Sequence, residues 1–282
     1  MSVKMKYYLI LFLMIVTVLS GVNLSLAEGN DSQNSDEMST EKPYIIVKRD
    51  DITAVIVNNE AVDDSVLPGH TRSSGRFNFD RGLSGVGSLK HSEHRENVFL
   101  DRSAGLNFEH IHDGTNGGPA VLFEARVAEM QIRQTGKYKV QLHQGPTRHW
   151  QLESWITYEL LEGGVIEMTF ECVPRARTFE HDYIGLFFAS YIEHPESKAI
   201  YFKGYDKSES DRKERWIKAT SPSHGVEAAH RGINDERVFP HDPNFKLTLA
   251  FNESNYRYSE PWYYGISNGM ALVFMFRDCD QV

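Results

Sequence analysis

Cysteine is the scarcest reactive residue: Cys172 and Cys279 are the only two in 282 residues. Two thiols cannot form a disulfide framework, so a chain of this size must be held by its core. A single Cys172–Cys279 bridge is compatible with export, but Cys172 falls on an apolar strand face and reads equally well as a buried free thiol. Positive charge is also short. Thirty Lys and Arg against 39 Asp and Glu give a net charge of −9 and a pI near 5.7. The basic residues form no stripe, which excludes nucleic acid and anionic membrane surfaces as favoured partners. The chain has no G-x-S-x-G elbow, Cys–His pair or zinc-protease motif, so protease and esterase chemistry has no basis here. No long amphipathic helical pattern is present after residue 27.

Aromatic residues are plentiful: 16 Phe, 13 Tyr and 4 Trp. They suit a pleated, half-buried surface and point to a β-rich protein.

The N-terminus reads as an export leader. Lys4 and Lys6 precede the apolar run Tyr7–Leu19, and Ser25-Leu26-Ala27 supplies small residues at the cleavage positions. The run is shorter than the ~20 residues of a membrane span, so the mature protein is expected to have no span. The expected organisation is a signal peptide over 1–27, an acidic disordered spacer over 28–42 and a single β-sandwich domain over 43–282. The expected location is periplasmic or extracellular. A strongly apolar strand at Met270–Phe276 is followed by only six residues, so the C-terminus reads either as the last strand or as a sheet lacking a terminal part.

Tyr44–Lys48 and Ile52–Val57 read as an opening hairpin, and Ser65–Leu106 as long loops. Gly82–Gly87 lacks the preceding strand and following helix of a phosphate loop and reads as flexible loop. Asn107–Gly114 and Ala120–Glu124 have a strand-like register. Ala125–Arg133 and Lys137–His143 form a hairpin if joined through Gln134-Thr135-Gly136, with Ile132 opposite Tyr138. Glu153–Leu161 and Val165–Val173 form a second hairpin that pairs Ile156 with Phe170, Tyr158 with Met168 and Trp155 with Glu171. In that register Glu153 and Trp155 lie on the polar face. Tyr183–Ile192 reads as a central strand. Ala199–Lys203, Arg215–Thr220, Phe245–Phe251, Glu260–Gly265 and Met270–Phe276 complete an all-β, large antiparallel sandwich with little helix.

The densest chemistry lies in His143–Trp155, HQGPTRHWQLESW. Glu153 and His149 form a candidate acid/base pair, and a carboxyl beside Trp155 in a cleft would have the raised pKa that such catalysis requires. Trp150 or Trp155 can stack on a pyranose, while Arg148 binds a hydroxyl or carboxylate. His143 ends the neighbouring polar face, and Arg175 follows the second hairpin. Glu109 and His110 form a second catalytic candidate. His110 and His112 make a His-x-His half-site for a divalent metal that would need a further ligand, such as His91 or His94. Trp262, after Pro261, belongs to an aromatic patch that can act as a sugar platform or pack in the core. The same groups also suit an exposed sheet face with no substrate.

Around ESWITYELLEGGVIEMTFECVPR, with FEHIHDG before it and YIGLFFASYI after it, the chain resembles a group of secreted bacterial proteins without a settled activity. More distantly it resembles the β-supersandwich of galactose-mutarotase-like proteins, over most of residues 44–276. That resemblance implies a concave sheet face receiving a carbohydrate, with a glutamate and a histidine in acid/base roles, but no family motif aligns residue by residue. The sequence therefore predicts a carbohydrate or polysaccharide partner, no obligatory cofactor and one of two functions. The first is glycan processing by a hydrolase, lyase or epimerase. The second is a non-catalytic glycan-binding or cell-envelope β-sandwich.

Overall fold

The computed structural model describes residues 3–13, 38–39, 42–63, 65–67, 82–100, 103–223, 225–245 and 252–276, with backbone alone for 3–13 and 38–39. It is all-β, with strands β1 (Val3–Leu13), β2 (Met38–Ser39), β3 (Tyr44–Arg49), β4 (Ile52–Val57), β5 (Gly85–His91) and β6 (Asn107–His112). Two four-residue helices follow, α1 (Pro119–Leu122) and α2 (Glu124–Val127). Next come β7 (Met130–Gly136), β8 (Lys139–Gln144), β9 (Leu152–Leu161), β10 (Val165–Pro174), β11 (Gly185–Ala189) and β12 (Ala199–Asp206). The last are β13 (Arg215–Thr220), β14 (Ala229–Gly232), β15 (Glu253–Tyr258), β16 (Trp262–Ser267) and β17 (Met270–Phe276).

A 12-stranded sheet runs β14-β15-β12-β16-β17-β1-β10-β9-β8-β7-β2, with β13 on β12. It is accompanied by a three-stranded sheet, β3-β4-β5, and a two-stranded sheet, β11-β6. The Val3–Leu13 segment, within the predicted leader, pairs antiparallel with both β10 and β17.

The β9–β10 hairpin has the expected register: Ile156 faces Phe170, Tyr158 faces Met168 and Trp155 faces Glu171. Its period-two pattern leaves only one solution with the apolar set inward, since a one-residue slip would bury the charged set. Gly163 and Gly164, at φ 74° and 75°, make the turn. Ile156, Tyr158, Leu160, Ile166, Met168 and Phe170 are buried in one cluster with β3, β4 and β6 residues such as Ile45, Ile52 and Phe108. The Phe108 and Phe170 rings meet edge-on at 5.0 Å, and Tyr158 Oη donates to the Leu106 carbonyl at 2.8 Å. So β6 lies under the inner face of the large sheet.

Several expectations are corrected. The β7–β8 pairing places Ile132 opposite Leu142, not Tyr138, and Met130 opposite Gln144. The turn closes between Gly136 and Lys139, with an irregularity after Gln134, and the even shift leaves each side chain on its predicted face. Ala120–Glu124 is helical rather than extended. Gly118, at φ 77°, turns the chain, and Pro119 is preset for a first helical turn. Tyr183–Ile192 is not a central strand. Only Gly185–Ala189 pairs as a strand, with β6, and four of its five residues are half-buried. There His112 comes so close that a Cβ on Gly185 would lie 2.3 Å from its ring. Gly85–His91, expected as loop, is a strand on β4. Cys172 is a free, buried thiol whose pKa burial pushes up to about 12, while Cys279 lies outside the described residues. Most of the Phe245–Phe251 expectation also lies outside them.

Candidate functional site

Alternation on β9 turns Glu153, Trp155, Thr157 and Glu159 away from the core. On the adjacent strand β8, His143 faces Trp155 directly, and the two rings stack with centroids 5.1 Å apart and planes 12° apart. His143 Nε2 lies 2.9 Å from Glu153 Oε1. Arg175 Nε donates to Glu153 Oε2 at 2.6 Å, and its Nη2 forms an ion pair with the same oxygen. Arg175 is set there by the end of the hairpin, where its backbone N–H donates to the Gln151 carbonyl at 2.7 Å. Beside this network a groove of about 600 Å³ is lined by Lys42, Glu60, Gln131, Arg133, His143 and Trp155, among others.

The electrostatics of Glu153 run opposite to the expectation. The His143 hydrogen bond holds its carboxyl below the usual carboxylate range, against the effect of burial and with the help of Arg175. A carboxylate held ionised by two donors is a hydrogen-bond acceptor, not a proton donor near neutrality.

The other predicted residues lie elsewhere. Trp150 is 1% exposed. Its indole N–H donates to the Val121 carbonyl at 3.0 Å, and its ring stacks on Phe179 at 4.9 Å, so it has no face to offer a sugar. His149 is exposed, and its backbone N–H donates to Glu124 Oε1 at 2.5 Å. Glu124 Oε2 takes the Trp150 N–H at 3.0 Å, so this buried carboxylate of α2 pins the whole turn. Arg148 is exposed on the same turn, and its carbonyl accepts the Gln151 side-chain amide at 3.0 Å.

Glu109 and His110 are buried on β6, at 4% exposure each. Tyr191 Oη donates to both Glu109 oxygens, at 3.0 and 3.1 Å, and Arg126 Nη1 lies 3.3 Å from Oε1. Burial drives the His110 pKa down to about 3, with His112 and Arg126 adding to the effect. The His110 ring sits between Phe123 (edge-on, 4.4 Å) and Phe187 (stacked, 4.9 Å), and neither ring nitrogen has a hydrogen-bond partner among the described residues. Because β6 lies under the inner face and Glu153 points from the outer one, the sheet separates the two proposed acid/base groups. Burial likewise lowers the His112 pKa to about 4, against the pull of Asp113. Among the described residues no group of three or more His, Cys, Asp and Glu is placed to hold a metal ion, so the His110/His112 half-site acquires no further ligand there.

Trp262 lies on the outward face of β16. Its Nε1 donates to Glu260 Oε2 at 2.7 Å, and its ring meets that of Trp216 edge-on at 5.7 Å. Trp216, with 54% of its surface exposed, escaped sequence reasoning although it sits in the alternating strand RWIKAT. Glu124, Arg126 and Tyr191 were missed because their roles depend on contacts distant in sequence.

Among the described residues no helix is long and apolar enough to cross a membrane. Comparison with protein-family models, curated proteins and solved structures returns no match. The mutarotase-like resemblance therefore gains no support beyond the all-β architecture.

Proposed function

We propose that the protein is an exported carbohydrate-binding β-sandwich that holds a glycan on the outward face of β8 and β9 and does not process it. One observation carries this reading: the stacked His143–Trp155 pair stands beside a carboxylate and a guanidinium already locked together. A pyranose needs an apolar surface for its C–H face and fixed polar groups for its hydroxyls, and this arrangement supplies both with little side-chain ordering on binding. The lowered pKa of Glu153 disfavours it as a general acid, and its two oxygens are already engaged by His143 and Arg175. It is also separated from Glu109 and His110; together these favour binding over hydrolase, lyase or epimerase chemistry. A carbohydrate partner is also what the mutarotase-like resemblance implies.

Screening the protein on a glycan array tests the proposal. Binding to at least one glycan class, weakened in Arg175→Ala, is expected; an array with no bound glycan would overturn it. Export rests on Lys4, Lys6, the Tyr7–Leu19 run and Ser25-Leu26-Ala27. N-terminal sequencing of the secreted protein should begin at Glu28, and a start that retains Val3–Leu13 would show that the strand is kept and the leader reading wrong.

A further inference from the structure

We propose that the outward face of β12, β13 and β16 is a second carbohydrate site, a platform for acidic, uronate-type polysaccharide. The proposal rests on the carbohydrate-binding reading above and adds a location and a ligand class.

Cross-strand register assembles the platform. Tyr201 lies opposite Lys218 on β13 and opposite Tyr264 on β16, and Lys203 lies opposite Trp216. Residues directly opposite one another share a sheet face, and Trp262, two residues before Tyr264, joins them. Phe202, Ile217 and Ala219, at the intervening positions, are buried as a separate small core. The rings therefore stand on the side that the local core does not use.

Their geometry is that of a continuous surface. Tyr201 and Tyr264 stack at 5.1 Å, Trp262 and Tyr264 stack at 6.4 Å, and Trp216 meets Tyr264 edge-on at 6.0 Å. Glu260 fixes the rim by accepting from Trp262 Nε1 at 2.7 Å and pairing with Lys203 Nζ at 3.3 Å. Lys218 Nζ lies 6.0 Å from the Tyr201 ring centroid and has no carboxylate partner among the described residues.

The charges choose the ligand. In a chain of net charge −9, this face carries two lysines against one glutamate. A uronate places its C–H face on an indole or phenol ring and its carboxylate on an ammonium group. An apolar protein partner would instead bury Lys203, Lys218 and Glu260 without sufficient compensation. Single-stranded nucleic acid also stacks on aromatic rings, and the oligonucleotide arm of the test separates it from a uronate.

The test uses the full chain, polygalacturonate, the same polymer methyl-esterified and a single-stranded oligonucleotide. Trp155→Ala is the background, so that the first site does not mask the second. Polygalacturonate should bind, more weakly as salt rises, and methyl-esterification should weaken binding. Trp216→Ala and Lys218→Gln should each lower affinity about tenfold with an unchanged thermal melt, since both side chains are solvent-facing. Unchanged affinity in both variants, preference for the esterified polymer, or binding of the oligonucleotide alone would overturn the platform. None of these results touches the first site, whose reading fails if the parent protein binds no glycan on the array or if Trp155→Ala binds the selected glycan as tightly as the parent.

Discussion

Glu153 and His143 meet across adjacent strands at 2.9 Å, and Arg175 closes on the second carboxylate oxygen at 2.6 Å. The contact sets the character of the outer face. The glutamate best placed to act as an acid is held as an anion, and its charge fixes the imidazole and the guanidinium beside Trp155.

The pH dependence of this network has a definite sign. A carboxyl with a lowered folded-state pKa contributes stability above its ordinary pKa and loses it as pH falls through the folded value. Glu153→Gln should therefore lower stability by ~1 kcal/mol at pH 7, given the partial exposure of its partners. The deficit should shrink on acidification below the ordinary carboxylate range. Urea melts at pH 7 and pH 3 measure both numbers, and an equal deficit at the two values would contradict the assignment.

His110 and His112 act in the reverse direction. Both are neutral in the folded protein, with pKa values lowered to about 3 and about 4 by burial above all. The unfolded chain takes up protons near the ordinary value of 6.5, so folding loses stability as pH falls from there towards the folded values. His110→Phe, which keeps a ring between Phe123 and Phe187, should gain ~1 kcal/mol relative to the parent at pH 5. Stability profiles from pH 7 to pH 4 would show the two curves diverging; parallel curves would show that His110 does not titrate differently on unfolding.

The two tryptophans flanking the central turn should behave oppositely. Trp150→Ala empties a fully buried site and should cost ~3–5 kcal/mol. Trp155→Ala removes a half-buried cross-strand contact and should cost about 1 kcal/mol or less. Denaturant midpoints distinguish them, and equal losses would place both rings in the core.

Glu109 and Arg126 form a buried ion pair beneath the sheet, and the exposed residue Tyr191 donates its hydroxyl to the glutamate. Arg126→Ala leaves a carboxylate without its guanidinium and should cost ~3–5 kcal/mol. Tyr191→Phe removes one donor and should cost ~1–3 kcal/mol. If Arg126→Ala is neutral while glycan binding is lost, the cluster is a binding site and not a structural one.

What the sequence made legible follows from periodicity. The β9–β10 register, the two faces of that hairpin and the positions of Glu153 and Trp155 come from strict alternation across a turn with two consecutive glycines. Alternation cannot specify what lies under a sheet, so burial of the whole of β6 and the Glu109–Arg126–Tyr191 cluster were invisible. Trp150 misled because its neighbours Arg148 and His149 are exposed; its burial is set by Val121 and Phe179, 29 residues on either side. Trp216 was overlooked because its partners, Trp262 and Tyr264, lie more than forty residues further along. The Ala120–Glu124 helices show local turn chemistry at Gly118-Pro119 overriding a β-like composition.

The most direct test is a calorimetric titration of the glycan selected on the array into the parent protein and into Trp155→Ala, with folding of both checked by circular dichroism. A saturable complex weakened at least about tenfold by the substitution is the predicted result; a folded variant that binds the glycan as tightly as the parent would contradict a binding site on the His143–Trp155 face.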